Sequence, residues 1–364
     1  MEVRAKKALG QHFLTDQKVA KRIVGTLSAP SAGGSTQDFA SLPAGSRTTI
    51  PLHPQGTGGV PPDTPCVASL HNSAINDGST SAAKVSGAAV QRPSAPTQRE
   101  WEGPAPSGVG GIAPEGRSLG MAGPRTEVRD VLEIGPGMGV LTQYLLQRDD
   151  INLKAVEVDG ESVDYLLTHF AGMQGKLLQA DYLRLDMQRV FKGPYRIIGN
   201  FPYNISSQIF FKILDDKDRI PEVVCMIQKE VAERIAEKPG SKTYGILSVL
   251  LQAWYDIEYC FTVGPGAFAP PPKVQSAVIR LTRNGRTELG CDEKLFKQVV
   301  KTAFNQRRKT LRNALKPLLS DPQTLAHPDL VTNNQVNSAN LLELRAERLS
   351  VEDFIRLTQT IAAQ

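Results

Sequence analysis

VRDVLEIGPGMGVLTQYLLQR, residues 128–148, reads as a strand, a glycine-rich turn and the start of a helix. Outward from it the same alternation continues. KAVEVD (154–159), KLLQAD (176–181) and YRIIGN (195–200) are further strands, VVCMIQKEVAERIAEK (223–238) is a strand running into a helix, and SAVIRL (276–281) is a late strand. Strands that alternate with helices predict an α/β fold with a doubly wound, parallel sheet. After Arg283 the pattern becomes helical, centred on KLFKQVVKTAFNQRRKTLRNAL (294–315) and VEDFIRLTQTIAAQ (351–364), so a small helical C-terminal domain is expected.

Ahead of residue 128 the chain has two unlike parts. TDQKVAKRIVGTL (15–27) carries Val19, Ile23 and Leu27 at helical spacing behind Thr15 or Asp16, either of which can cap a helix. From Ser28 to Thr126 the sequence is dominated by Ser, Gly, Ala, Pro and Thr with few large apolar side chains, and it is expected to be a disordered insert because it cannot offset its ordering entropy by burial. Such an insert is tolerable: lengthening a ten-residue connection to a hundred adds roughly 2 kcal/mol of closure entropy. The expected division is therefore 1–28, an N-terminal segment touching cofactor and RNA; 29–126, the insert; 127–284, the α/β domain; and 285–364, the helical domain.

Over 364 residues the net charge is only +5, which does not separate a nucleic-acid binder from other proteins. Its placement says more. Lys6, Lys7, Lys18, Lys21 and Arg22 form one basic cluster, and Lys301, Arg307, Arg308, Lys309, Arg312 and Lys316 form another with no acid among them, as suits a partner lined with phosphates. The four cysteines are scattered without a C-x-x-C pair, which argues against a disulfide framework or a zinc site. No apolar h-region opens the chain and no stretch is long enough to span a bilayer, so a reducing, cytoplasmic location is expected.

GPGMG (135–139) sits where a parallel strand ends and a helix begins, the place at which glycines let backbone approach a ligand. Its G-x-G-x-G spacing is not that of dinucleotide folds. Glu157 ends the next strand, about 20 residues past the first glycine, where a carboxylate can accept from ribose hydroxyls. Asp181 ends the third strand, where it could accept from an adenine amine. Singly, each is an ordinary turn or strand-end acid; three at consecutive strand ends point to an adenosyl ligand, and S-adenosylmethionine is the common one. With an electrophilic sulfonium methyl as donor, the protein's task is mainly positioning.

NFPYNIS (200–206) follows the strand RIIG and lies at the same edge of the sheet. An exocyclic adenine amine is a weak nucleophile because its lone pair is delocalised. Two acceptors for its protons, the Asn200 side-chain oxygen and a backbone carbonyl near Phe201 or Pro202, would localise that pair. Pro202 stiffens the loop, and Tyr203 offers a face for a flipped base, worth about 1–3 kcal/mol. No strong base is needed, since the methylated ammonium is acidic enough to lose its proton to water. In AFAPPPKVQSAVIRL (267–281), Phe268 is a candidate for the opposite face of the base and Lys273 for a phosphate contact, although the prolines equally suit a structural turn. In AFNQRRKTLRNAL (303–315), Phe304, Leu311 and Leu315 could face a core while Arg307, Arg308, Lys309 and Arg312 reach RNA.

Taken in order, GQHFLTD (10–16), VLEIGPGMGVLT, NFPYNIS, QKEVAERI, FAPPPKVQSAV and AFNQRRKTLRNAL make the chain resemble the small-subunit rRNA adenosine dimethyltransferase family over residues 4–28 and about 127–360. The resemblance implies a class I S-adenosylmethionine-dependent methyltransferase fold: a Rossmann-like, mostly parallel seven-stranded sheet with the helical appendage. It implies that His12, Leu14, Gly135, Gly137, Glu157, Asp181 and Asn200 border the cofactor, and that two adjacent adenosines near the 3′ end of small-subunit rRNA are each methylated twice, on an immature subunit. A monomer without metal is expected. His12 stands where many members have Asn, Phe201 where many have Leu, and the segment after Ser28 is foreign to the family pattern. Three other readings compete: a large-subunit rRNA adenine dimethyltransferase, which the NQRRKTLRN segment disfavours; a catalytically silent assembly or transcription factor, which the intact glycine, acid and NFPYN features disfavour; and a small-molecule methyltransferase, which the Tyr203 loop and the two basic clusters disfavour.

Overall fold

In the computed structural model, residues 12–28, 128–318 and 341–363 are described, and they belong to one compact unit. In chain order the elements are β1 (Phe13–Leu14), α1 (Gln17–Thr26), β2 (Arg129–Ile134), α2 (Thr142–Leu145), β3 (Ile151–Glu157), α3 (Gly160–His169), β4 (Leu177–Gln179), α4 (Met187–Val190) and β5 (Tyr195–Asn200). These are followed by α5 (Ser206–Asp215), β6 (Glu222–Gln228), α6 (Lys229–Ala236), α7 (Ile246–Gln252), β7 (Tyr255–Val263), β8 (Phe268–Ala269), β9 (Ser276–Arg283), α8 (Glu293–Asn305), α9 (Leu311–Ala314) and α10 (Val351–Ala362). The segment read as a disordered insert, and the N-terminal Lys6 and Lys7, lie outside the described residues.

Seven strands form one sheet in the order β4-β3-β2-β5-β6-β9-β7, and β1 pairs with β8 in a separate two-stranded ribbon. The first five run parallel, while β9 is antiparallel to both β6 and β7. This is the doubly wound, mostly parallel sheet that the residue pattern predicts. The strand order reverses between β2 and β5, so a crevice opens beyond their carboxyl ends. Adjacent residues on the strands enter opposite cores: Leu132, Ile197 and Val223 join the apolar layer beneath α5 and α7, whereas Val131, Ile198 and Val224 join the layer that receives Ala20, Ile23 and Val24 of α1. Burial on both faces explains the near-continuous apolar runs.

Asp16 caps α1 by accepting from Lys18 N (2.8 Å) and Val19 N (3.1 Å), which decides between the two candidate caps. The far end of α1 is clamped. Ser28 donates from its N (3.1 Å) and Oγ (2.8 Å) to buried Glu222, and Arg280 donates to both. Arg148 donates to the Leu27 and Ser28 carbonyls (3.2 Å each) and pairs with Asp150, which also holds Arg129 at 3.1 Å. The chain therefore leaves at Ser28 and re-enters at Arg129 within one charge network at the amino ends of β2, β3 and β6, remote from the crevice.

Three expectations need correction. The segment 294–315 is not one helix: α8 stops at Asn305, Gln306 leaves helical geometry (φ −116°, ψ 43°), and Arg307, Arg308 and Lys309 lie in the turn before α9. A bond from Leu311 N to Leu344 O (2.8 Å) pulls the chain away so that Leu311 and Leu315 are fully buried. Asp181 lies two residues beyond β4, whose last residue is Gln179, and it opens a turn by accepting from Leu183 N at 2.9 Å. The seventh strand is β7, overlooked in the sequence because it is an edge strand, irregular between Tyr259 and Phe261, in which only Tyr255 and Val263 are fully buried. Helices α8 and α10 pack against α7, and Phe296, Val299 and Phe354 share the apolar layer of β5 and β6.

Candidate active site

A cavity of about 540 Å³ occupies the crevice over the carboxyl ends of β2 and β5. The GPGMG turn forms its floor. Gly137 has φ +54° and its N–H donates to Glu157 Oε2 (3.1 Å); a Cβ there would sit 3.0 Å from the Phe13 ring, so only glycine leaves room for both. Gly199 permits an equally close approach between strands, because a Cβ on it would lie 2.5 Å from the Ile134 carbonyl oxygen. That contact brings Asn200 alongside Gly135.

Glu157 is nearly buried. Its Oε1 accepts from Val158 N (2.8 Å) and Asp159 N (2.9 Å), and with Gly137 on Oε2 three of about four lone-pair positions are filled. The remaining one, on Oε2, can take a hydroxyl. Burial pushes this carboxyl up, opposed by the three backbone donors. Asp181 also lines the cavity, with Arg184 Nε 3.5 Å from its Oδ2 and the Arg184 side chain 90% exposed at the rim.

Asn200 supplies the decisive geometry. Its Nδ2 donates to the His12 carbonyl at 3.0 Å, which fixes the amide, while Oδ1 is buried without a partner. An unpaired buried acceptor is costly, on the order of 1–3 kcal/mol, unless a ligand uses it. Beside it, Phe201 N is committed to Met226 O (3.0 Å) and the Pro202 carbonyl accepts from Ile205 N (3.2 Å), whereas nothing among the described residues engages the Phe201 carbonyl. Tyr203 is held through its hydroxyl by Ser276, and its ring lies 5.4 Å from that of His12 at 32°. Burial pushes the Tyr203 phenol up, so it is a neutral platform.

The donor set fits an adenosyl ligand: one carboxylate at the end of β3 and another in the turn after β4, a glycine floor and an orphaned acceptor in one cavity. Residues 121–362 match the family described as ribosomal RNA adenine dimethylase. The chain belongs to that family. It is 60% identical over 229 residues to the ribosomal RNA small subunit methyltransferase A of Parabacteroides distasonis, covering 63% of this chain and 81% of that one. To the protein of the same name from Bacteroides thetaiotaomicron it is 58% identical over 232 residues, 64% and 82% of the two chains. A dimethyladenosine transferase from Plasmodium falciparum shares the fold, with a TM-score of 0.51 at 22% identity over 64% of this chain and 90% of that one. The chain is thus an S-adenosylmethionine-dependent rRNA adenine dimethyltransferase with the class I fold.

Of the residues singled out in the sequence, the dimethyltransferase gathers His12, Leu14, Gly135, Gly137, Glu157, Asp181, Asn200, Pro202 and Tyr203 around the cavity. Phe268 is not brought there. Paired with Leu14 across the β1–β8 ribbon, it is 4% exposed and packs into the apolar layer under α1, so its ring braces the wall rather than facing the cavity. Lys273 is exposed on the loop after β8 and also lies off the cavity. The second basic cluster does acquire acids through the fold: Arg312 pairs with Glu343 (2.6 Å), and Arg307 reaches Glu347 (3.5 Å) and the Lys242 carbonyl. Arg308 and Lys309 remain in the exposed turn.

Among the lining residues that escaped the sequence reading, two matter most. Phe13 gives its ring to the Gly137 floor, and Glu133 is 1% exposed at the end of β2. The signal for Glu133 was present: a carboxyl between Leu132 and Ile134 in a strand covered on both faces must be buried. Among the described residues no group of His, Cys, Asp and Glu is arranged to hold a metal, and no helix is long and apolar enough to cross a membrane.

Proposed function

We propose that this dimethyltransferase modifies two adjacent adenosines near the 3′ end of small-subunit rRNA, each at N6 and each twice, acting as a monomer on an immature subunit. The observation that carries the acceptor side is the orphaned Asn200 Oδ1. Together with the free Phe201 carbonyl it offers two acceptors for the two N6 protons, which draws the amine toward tetrahedral geometry and localises its lone pair. Tyr203 stacks on the base and Pro202 limits the loop's freedom, so the nucleophile meets the donor already oriented.

S-adenosylmethionine, when bound, supplies an electrophilic methyl group. Glu157 holds the ribose through its remaining Oε2 position, Asp181 accepts from the adenine amine once it leaves Arg184, and Gly135 with His12 and Leu14 borders the methionine portion. After transfer the nitrogen bears an acidic proton, which passes to water. On the second round the amine carries one methyl and one proton, and a single acceptor suffices. Arg308 and Lys309, in the exposed turn between α8 and α9, and Lys273 track the phosphate backbone.

The test is transfer from labelled S-adenosylmethionine to small subunits lacking the modification, with large subunits in parallel, followed by nucleoside analysis. Dimethyladenosine in the small subunit alone supports this assignment, and label in the large subunit overturns it.

A further inference from the structure

Tyr203 stands on the loop between β5 and α5, yet what fixes its ring lies elsewhere in the chain. Its hydroxyl is bonded to Ser276 Oγ, its one hydrogen-bond partner among the described residues. Ser276 is the first residue of β9, fully buried, and in register with Gln228 at the carboxyl end of β6 on one side and with Val263 of β7 on the other. A hydroxyl held between two strands is a rigid anchor for a ring carried on a loop. The second contact on that ring is the His12 imidazole, 5.4 Å away between centroids, and the Pro270 carbonyl oxygen holds it, 3.1 Å from Nδ1. Pro270 and Ser276 are the two ends of one loop. Gln275 ties this loop to the start of α6, where its carbonyl accepts from Lys229 N at 2.9 Å and its side-chain oxygen from Lys229 Nζ at 3.2 Å. The loop 270–276 therefore straps the Tyr203 ring from two directions, while Ser276 itself does not line the cavity.

The strap matters unequally over two rounds of transfer. In the first, N6 carries two protons, and Asn200 Oδ1 with the Phe201 carbonyl holds both. In the second, one proton remains, one of those bonds is gone, and the base can swivel about the other. Stacking on an immobile Tyr203 ring is then what keeps the lone pair in line with the incoming methyl group. We propose that Ser276 is a positioning residue for the second methylation: through the Tyr203 hydroxyl it fixes the ring on which the monomethylated base lies, and so sets how much product is carried through to dimethyladenosine. This role of Ser276 rests on the acceptor reading given above. A serine that only supports the fold would alter stability and slow both rounds alike, whereas a positioning serine changes the ratio of products.

The experiment is transfer by the full chain to small subunits lacking the modification, at saturating S-adenosylmethionine, with monomethyl- and dimethyladenosine counted over time. The parent, Ser276→Ala, Tyr203→Phe and the double variant are compared. Each single change removes the same hydrogen bond and keeps the ring, so the second step is expected to slow by roughly three- to tenfold and the first by less, with monomethyladenosine accumulating. The double variant is expected to be no slower than either single one, because the two residues act through one bond. Should Ser276→Ala fail to fold, Tyr203→Phe breaks that bond from the loop side and is judged on the product ratio. Slowing that adds in the double variant, or products in the parent's ratio, overturns the inference, whereas a parent that makes no methyladenosine at all overturns the reading of the reaction beneath it.

Discussion

Replacing Asn200 by alanine separates the chemistry of the acceptor loop from its architecture. Two atoms are lost with opposite consequences. Nδ2 donates to the His12 carbonyl at 3.0 Å, and losing a hydrogen bond of that kind costs about 1 kcal/mol. Oδ1 is buried and unpaired, and removing it relieves a penalty of roughly 1–3 kcal/mol. The terms oppose each other, so the melting temperature should change by only a few degrees, about 2–4 °C per kcal/mol at this size. Catalysis has no such compensation. By analogy with deleting one preorganised group that stabilises a transition state, the transfer rate should fall by about 10²–10³. The assay is single-turnover methyl transfer to unmodified small subunits at saturating S-adenosylmethionine, with thermal unfolding measured in parallel. A rate within about threefold of the parent in a folded variant would refute the acceptor role. A collapse in stability would instead show that the His12 tether, and not the free oxygen, is what the residue contributes.

Substituting residues 29–126 by a short Gly/Ser linker should leave fold and activity intact, because Ser28 and Arg129 are already held in one network by Glu222, Arg148 and Asp150; circular dichroism and the transfer assay check this, and an unfolded product would make the segment structural. Alanine at both Arg308 and Lys309 should weaken RNA binding and lower the slope of log affinity against log salt by about 1–2, while Arg307→Ala should also cost stability through Glu347; an unchanged slope would remove that turn from the RNA surface. Glu133 is pushed up to about 8 in the fold, so its contribution to the empty enzyme's stability is fully present below its unfolded value near 4.5 and is lost as pH rises toward 8. Melting curves across that window should slope downward in the parent more than in Glu133→Gln, and equal slopes would contradict the protonated carboxyl.

Local chemistry made much of this protein legible before any coordinates. DVLEI, KAVE and RIIGN announce parallel strands because mainly apolar runs alternate with helical patterns, and a glycine turn placed after the first of them belongs to a ligand crevice. Asn200, Glu157 and Asp181 could be named because three polar residues at or just past successive strand ends gather at one edge of the sheet, although singly each suits an ordinary turn or cap. The α1 pattern was equally plain, since Ile23 and Leu27 repeat at helical spacing.

Other features depend on atoms far apart in the chain, and no local pattern encodes them. The break after α8 follows from the Leu311 bond to Leu344, and the acids that occupy Arg307 and Arg312 arrive from residues 347 and 343. Phe268 read as a base-stacking ring until its register with Leu14 turned it into the wall. Which way the Asn200 amide points, and so that its Oδ1 is the free atom, is settled by the His12 carbonyl, 188 residues earlier in sequence. Glu133 carries the same lesson at its sharpest: composition shows an acid in a strand, but its protonation is a property of the desolvated space that Thr142, Glu157 and the cavity close around it. The sequence by itself determined six of the seven sheet strands, the glycine turn and the chemical kinds near the strand ends, because these rest on period and propensity. Tertiary structure alone decided partners, register and charge state, because these are set by groups that meet only once the chain has folded.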